Sequence, residues 1–296
     1  MGQGSQLCKS CLYCPFSFYL EDSMKKILLA LAAITAIFTF ASCSKKVEKG
    51  EFTSEKGKLK IGMEIGYPPF EYFDTDGKTP IGFDVRLGQE LAKKLGLEAE
   101  FIDTAWDGIL AGLDTDRYDI IISAMTITPD RLANYDFSKA YIGNAQSIIL
   151  QKDSTLEISS PADLEGKKVG VQAETTSDYF MKKLHSEQGL NYESAGYDKV
   201  MNAYDDLKLN RIDAVCSDSL VAVSYLSKPQ SEYKKAWEGE AEEYFGICIK
   251  KGNSQLKNKI NENLDKMIED GTLTTIYTEI FGGDLLYTIE NSPYNK

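Results

Sequence analysis

An apolar run, Ile120-Ile121-Ile122, gives way to Ser123-Ala124-Met125-Thr126-Ile127-Thr128-Pro129-Asp130-Arg131. Small and hydroxyl residues leave backbone N–H groups accessible, two threonines add hydroxyls, and Arg131 adds a planar fork of donors. Such a set suits a carboxylate. Taken alone, the nonapeptide leaves a second reading open, in which Arg131 is a solvated residue in the first turn of a short helix. Two more polar clusters follow apolar runs, at Gln172-Ala173-Glu174-Thr175-Thr176-Ser177 and at Ser217-Asp218.

The elements that must carry these clusters alternate between strand and helix patterns. Leu59-Lys60-Ile61-Gly62-Met63 reads as a strand, the paired prolines of Tyr67-Pro68-Pro69-Phe70 enforce a loop, and Asp74-Thr75-Asp76-Gly77 is a turn. Asp84 can cap a helix whose apolar stripe is Val85, Leu87, Leu91 and Leu95, with Gly96 at its end. A strand at 99–102, a helix at 106–113 and a strand at 118–123 complete a β-α-β-α-β unit, the start of an open parallel sheet. A second unit repeats the rhythm. Ser160-Pro161 opens a helical turn, and 168–172 is a strand before a helix at 176–185. Residues 199–209 form a helix, 213–216 a strand and 219–226 a helix. A strand at 244–249 and helices at 255–269 and 273–280 finish the pattern. Ligands of open α/β sheets gather beyond the carboxyl ends of strands, where all three polar clusters fall.

The chain has 296 residues, 43% hydrophobic and 26% charged, enough for one large domain or two lobes with separate cores. Its net charge of −12 argues against nucleic acid, whose phosphates select clustered Lys and Arg. Met24-Lys25-Lys26 begins a basic segment, 27–40 carry no charge, and Ala41-Ser42-Cys43 closes the run. It is shorter than the roughly 20 apolar residues of a membrane-spanning helix. Residues 24–42 are therefore expected to be a signal peptide. The small residues before Cys43 resemble a bacterial lipobox, in which the cysteine is lipidated and anchors the mature chain outside the cytoplasm. The charged segment 43–58 is expected to be a flexible tether, and 1–23 an upstream extension of a reading frame that starts at Met24. Cys8, Cys11 and Cys14 have the spacing of metal ligands, but three ligands ahead of a complete signal peptide make no expected site. No metal or cofactor is expected elsewhere. Cys216 and Cys248 sit in apolar strand-like runs as buried thiols. The one histidine, His185, lies among Lys182, Lys183 and Glu187 and is expected to be solvated.

Tyr67-Pro68-Pro69-Phe70-Glu71, Gly82-Phe83-Asp84-Val85, Trp106-Asp107-Gly108-Ile109, the 126–131 segment, Asp136-Phe137-Ser138, Leu164-Glu165-Gly166-Lys167-Lys168-Val169-Gly170-Val171-Gln172 and Arg211-Ile212-Asp213-Ala214 occur in order from 59 to 281. This ordered set resembles the solute-binding proteins, family 3, of bacterial amino-acid ABC importers. The resemblance implies a two-lobed α/β fold of the type II periplasmic-binding-protein class, each lobe a doubly wound, mostly parallel sheet. Lobe 1 would be 59–143 with 247–296, and lobe 2 146–244, clamping on a ligand. It implies that Arg131 and N–H groups near Thr126 and Thr176 take an α-carboxylate. Asp218, the Thr126 hydroxyl and the Ala124 carbonyl would take the α-ammonium, and Tyr67 and Trp106 would flank the side chain. Glu64 stands where the basic-amino-acid binders place an acid, while the segments around Trp106 and Arg211 look as much like the cystine-binding branch. Two positions depart from the pattern: Glu174 replaces a usual glycine and Ala124 a usual Ser or Gly. The implied partners are a permease and a separate ATPase, since this chain has no Walker A loop; the receptor itself would be a monomer. Asp218 as a mere helix cap and Trp106 as core are the plain alternatives. A dehydratase-like enzyme on the same scaffold and a sensor module are the alternative functions.

Overall fold

The computed structural model describes residues 48–296. The expectations for 1–23, for the signal peptide and for Cys43 lie outside the described residues. Two five-stranded sheets organise the chain. In the first, β1 (Lys58–Met63) lies between two parallel neighbours, β4 (Glu98–Asp103) and β5 (Ile120–Ile121). Antiparallel to β5 runs β12 (Glu243–Lys250), which pairs in turn with β6 (Tyr135–Asn144). The second sheet has the order β11 (Tyr233–Glu238), β7 (Gln146–Gln151), β10 (Ala214–Asp218), β8 (Lys168–Gln172), β9 (Glu193–Tyr197). A short hairpin, β2 (Tyr72–Phe73) with β3 (Pro80–Ile81), stands apart. The chain passes from the first sheet to the second at Ala145 alone, between β6 and β7, and returns between β11 and β12.

Local chemistry accounts for the elements. Leu59, Ile61 and Met63 are fully buried on β1, and Gly62 between them leaves room for the Tyr118 ring, which lies 2.5 Å from where a Cβ would stand. The first-sheet core continues into the aromatic stack of Phe83 on Tyr277, centroids 5.3 Å apart, which seats α1 (Phe83–Lys94) against α8 (Thr272–Phe281). Buried leucines of α7 (Ser254–Glu269) join the same core. In the second sheet α4 (Thr176–Gln188), α5 (Val200–Lys208) and α6 (Ser219–Leu226) cover β8 and β10.

Several elements differ from expectation in informative ways. Gly82, not Asp84, occupies the N-cap of α1, and no side chain caps it. Asp84 is instead fully buried and reaches across to the end of β5. The expected helix at 106–113 is a 3-10 turn, Trp106–Gly108, running into α2 (Ile109–Asp114). Pro129 does open a short helix, α3 (Pro129–Asn134), capped by the Thr128 hydroxyl. The expected pattern has no strand at β6, β7, β9 or β11: β6 and β7 are largely buried against partners distant in sequence, whereas β9 and β11 are the edge strands of the second sheet, with side chains mostly half-buried or exposed.

Candidate functional site

Residues at the carboxyl ends of strands from both sheets meet around one cavity. The first sheet and its loops supply Glu64, Tyr67, Trp106, Ala124, Thr126 and Arg131. The second supplies Gln172, Thr176 and Asp218. All eight residues singled out as ligand contacts therefore line the same space. Its volume is about 10 Å³, the room of one water molecule.

Side chains of the two sheets touch across this space. Tyr67 donates its phenol to Asp218 Oδ2 at 2.5 Å, and Gln172 Nε2 donates to Glu64 Oε2 at 3.0 Å. The Trp106 indole donates to the Glu174 carbonyl at 3.0 Å. Lys199 Nζ donates to the Ile65 carbonyl at 2.9 Å. Arg131 donates to the Thr126 carbonyl at 2.9 Å and lies over the Trp106 ring, 5.3 Å from its centroid. It forms no ion pair among the described residues, so part of its donor fork remains for an anion. The N-terminus of α4 begins at Thr176, and its free backbone N–H groups add to the same anion-favouring rim.

Asp218 sits at the N-cap of α6 without bonding to it, which answers the plain reading of that residue. Its Oδ1 accepts Asn144 Nδ2 at 2.8 Å and Gln146 Nε2 at 2.9 Å. Those two amides also bind Glu243, at 3.1 and 3.0 Å. Burial, and then the charge of Glu243, push the Asp218 carboxyl up to about 7. Burial likewise raises Glu64 to about 7, opposed by its bond from Gln172 and by Lys199. Desolvation also raises Glu243. A buried carboxyl in this state holds a proton easily and exchanges it for a ligand cation.

The two departures from the family pattern are accommodated. Glu174 takes the left-handed conformation, φ +61°, that a glycine there would take, and its N–H donates to Asp178 Oδ2 at 2.9 Å. Ala124 is also left-handed, φ +43°, held by the carboxylate of Asp84. Trp106 is only partly buried, with its indole engaged across the cavity, so it is more than core. His185 is exposed, although a ring nitrogen meets the Leu190 carbonyl at 2.7 Å. Cys216 and Cys248 are buried free thiols. Sequence reasoning missed Asn144, Gln146 and Glu243. The available signal was three polar residues beside apolar strand runs, all largely shielded from water in the structure.

Two sheets bridged by two short crossings, with one cavity between their strand ends, define a two-lobed α/β solute-binding protein of the type II periplasmic class. A sequence model of the bacterial extracellular solute-binding proteins, family 3, matches residues 59–283, and the chain belongs to that family. It is 35% identical over 260 residues to the L-cystine-binding protein TcyJ of Escherichia coli (strain K12), covering 86% of this chain and 96% of that protein. To the arginine-binding extracellular protein ArtP of Bacillus subtilis (strain 168) it is 32% identical over 262 residues, 88% of this chain and all of that one. Among solved structures, an ancestral arginine-binding protein bound to arginine superposes with a TM-score of 0.73 at 38% identity, covering 77% of this chain and 99% of that chain.

Proposed function

We propose that this chain is the extracytoplasmic receptor of an ABC importer for a polar or cationic amino acid, which it holds as a zwitterion between two closing lobes. The observation that carries this is the placement of Arg131 and Asp218, opposite in charge and from different sheets, on one cavity. Arg131 and the N–H groups near Thr126 and Thr176 take the α-carboxylate. Asp218, the Thr126 hydroxyl and the Ala124 carbonyl take the α-ammonium, with Tyr67 and Trp106 flanking the side chain and Glu64 facing its end. We take the lobes as 59–143 with 243–296, and 146–238, since β12 pairs from Glu243 onward with β6. Closure follows ligand binding because only the closed form offers both groups at once. The receptor is a monomer, anchored by lipid at Cys43, and delivers to a separate permease and ATPase.

The excess of carboxyl groups over cations on the cavity favours a ligand with a positively charged end, as arginine has. One observation favours cystine as a second reading. A groove of about 720 Å³ shares Trp106, Arg131 and Thr176 with the cavity and carries Lys183, a cation for a second carboxylate. An enzyme on this scaffold is the remaining alternative, since buried carboxyls with raised affinity for protons can serve as acids; the named relatives are binding proteins. A thermal-shift screen of the 45–296 fragment against the common amino acids and cystine tests the reading, because a ligand that binds only the folded form stabilises it. A shift with arginine or another cationic amino acid is expected. No shift with any amino acid overturns the proposal, and turnover of the bound compound establishes the enzyme instead.

A further inference from the structure

Glu71 and Asp84 have no solvent exposure, and their carboxyl groups are within hydrogen-bond range of each other under the cavity floor. Each has one oxygen fully employed. Glu71 Oε1 accepts the Ser123 hydroxyl at 2.6 Å. Asp84 Oδ2 accepts the Ala124 N–H at 2.6 Å and the Tyr141 phenol at 3.1 Å. The other oxygen of each, Glu71 Oε2 and Asp84 Oδ1, has no partner among the described residues. The titratable groups facing the pair are Glu64 at the end of β1, Tyr67 on the following loop and Tyr141 on β6. Neither acid pairs with Lys or Arg among the described residues. Two ionised carboxylates in contact in a dry interior repel strongly, whereas one proton between the two orphaned oxygens satisfies both.

We propose that Glu71 is a neutral carboxylic acid whose Oε2–H donates to Asp84 Oδ1, and that this one proton fixes the end of β5 on which the ligand cavity is built. The proton sits on Glu71 because Asp84 already accepts two donors, which favour its charged form, and Glu71 only one. The consequences run through the rim. Asp84 holds Ala124 in its left-handed conformation. Ser123, held by Glu71, accepts the Glu64 N–H at 3.0 Å. The pair thus ties α1, the 64–71 loop and the end of β5 together. Glu71 and Asp84 are positioning residues, and the proposal does not depend on which ligand the cavity takes.

Denaturant unfolding of the protein and of Glu71→Gln between pH 5 and 7 tests this. Unfolded Glu71 releases its proton above its ordinary value of 4.5, and folded Glu71 keeps it, so folding takes up one proton across this range. The wild-type folding constant should therefore fall about tenfold per pH unit relative to that of Glu71→Gln. Asp84→Asn, whose amide can donate in place of the proton, should remove the same single proton, and the double variant no second one. Equal pH slopes in wild type and Glu71→Gln would show an ionised Glu71, and a two-proton difference in the double variant would show two independent neutral acids; either overturns the proposal. Infrared spectra of the wild type with ¹³C-labelled glutamate give a readout that needs no variant. A protonated glutamate carbonyl band persisting at pH 8 is expected, and its absence also overturns the proposal.

Discussion

The Tyr67 phenol donates to Asp218 across 2.5 Å, joining the loop that follows the first strand of one sheet to the last residue of β10 in the other. A ligand ammonium approaching Asp218 competes for that oxygen. Tyr67→Phe is accordingly expected to remove a contact of the ligand-free closed form and to weaken binding less than tenfold. Calorimetry on that variant checks it; a loss as large as that from Asp218 substitution would mean that the phenol itself holds the ammonium.

Ligand binding is expected to release protons. Asp218 and Glu64, pushed up to about 7, are mostly protonated at pH 6, and a cationic ligand selects their ionised forms. Affinity should fall as pH drops below about 7, with calorimetric heats at pH 6 that depend on the buffer's ionisation enthalpy. Buffer-independent heats would contradict this. The stability of the protein without ligand is expected to carry the opposite sign. A folded-state value above the unfolded one means that Asp218 contributes stability that is complete below about 3.8 and is lost as pH rises through about 7.

Glu243 adds to the rise at Asp218 by its charge. Glu243→Gln should therefore shift the pH profile of binding to lower pH, a displacement that a purely packing role would not produce. An unchanged midpoint would show that burial alone sets Asp218.

Glu174→Gly should preserve binding, since the backbone there is already left-handed at φ +61°. Relief of side-chain strain, offset by the extra freedom of glycine when unfolded, leaves a stability change of about 1 kcal/mol at most. Thermal unfolding measures it, and a larger loss would mean that the Glu174 side chain has a role of its own.

The rim around Arg131 was legible because its chemistry is local. A proline opens α3, a threonine caps it, and small residues end the preceding strand within nine positions. Asp84 was misread for the opposite reason: a residue near a helix start looks like a cap until the fold places Ala124 beside it. Asn144, Gln146 and Glu243 carried still less local signal. Their meaning comes from pairing, since the register sets Gln146 opposite Asp218 and Asn144 opposite Glu243. These partners lie 72 and 99 residues apart in sequence. No periodicity within a strand reports which residues face it from another.

Calorimetric titration of the wild type, Arg131→Ala and Asp218→Asn with the amino acid found by thermal shift is the most direct test of a zwitterion held from two lobes. Truncating one member of a desolvated, charge-assisted pair leaves the ligand charge buried and unmatched. Each variant is expected to lose about 2–5 kcal/mol of binding, on the order of 30-fold or more, with the fold retained. Trp106→Ala, run beside them, should change the preference among amino acids more than it abolishes recognition. Wild-type affinity in either charge variant would contradict the account, because the carboxylate or the ammonium would then be held elsewhere.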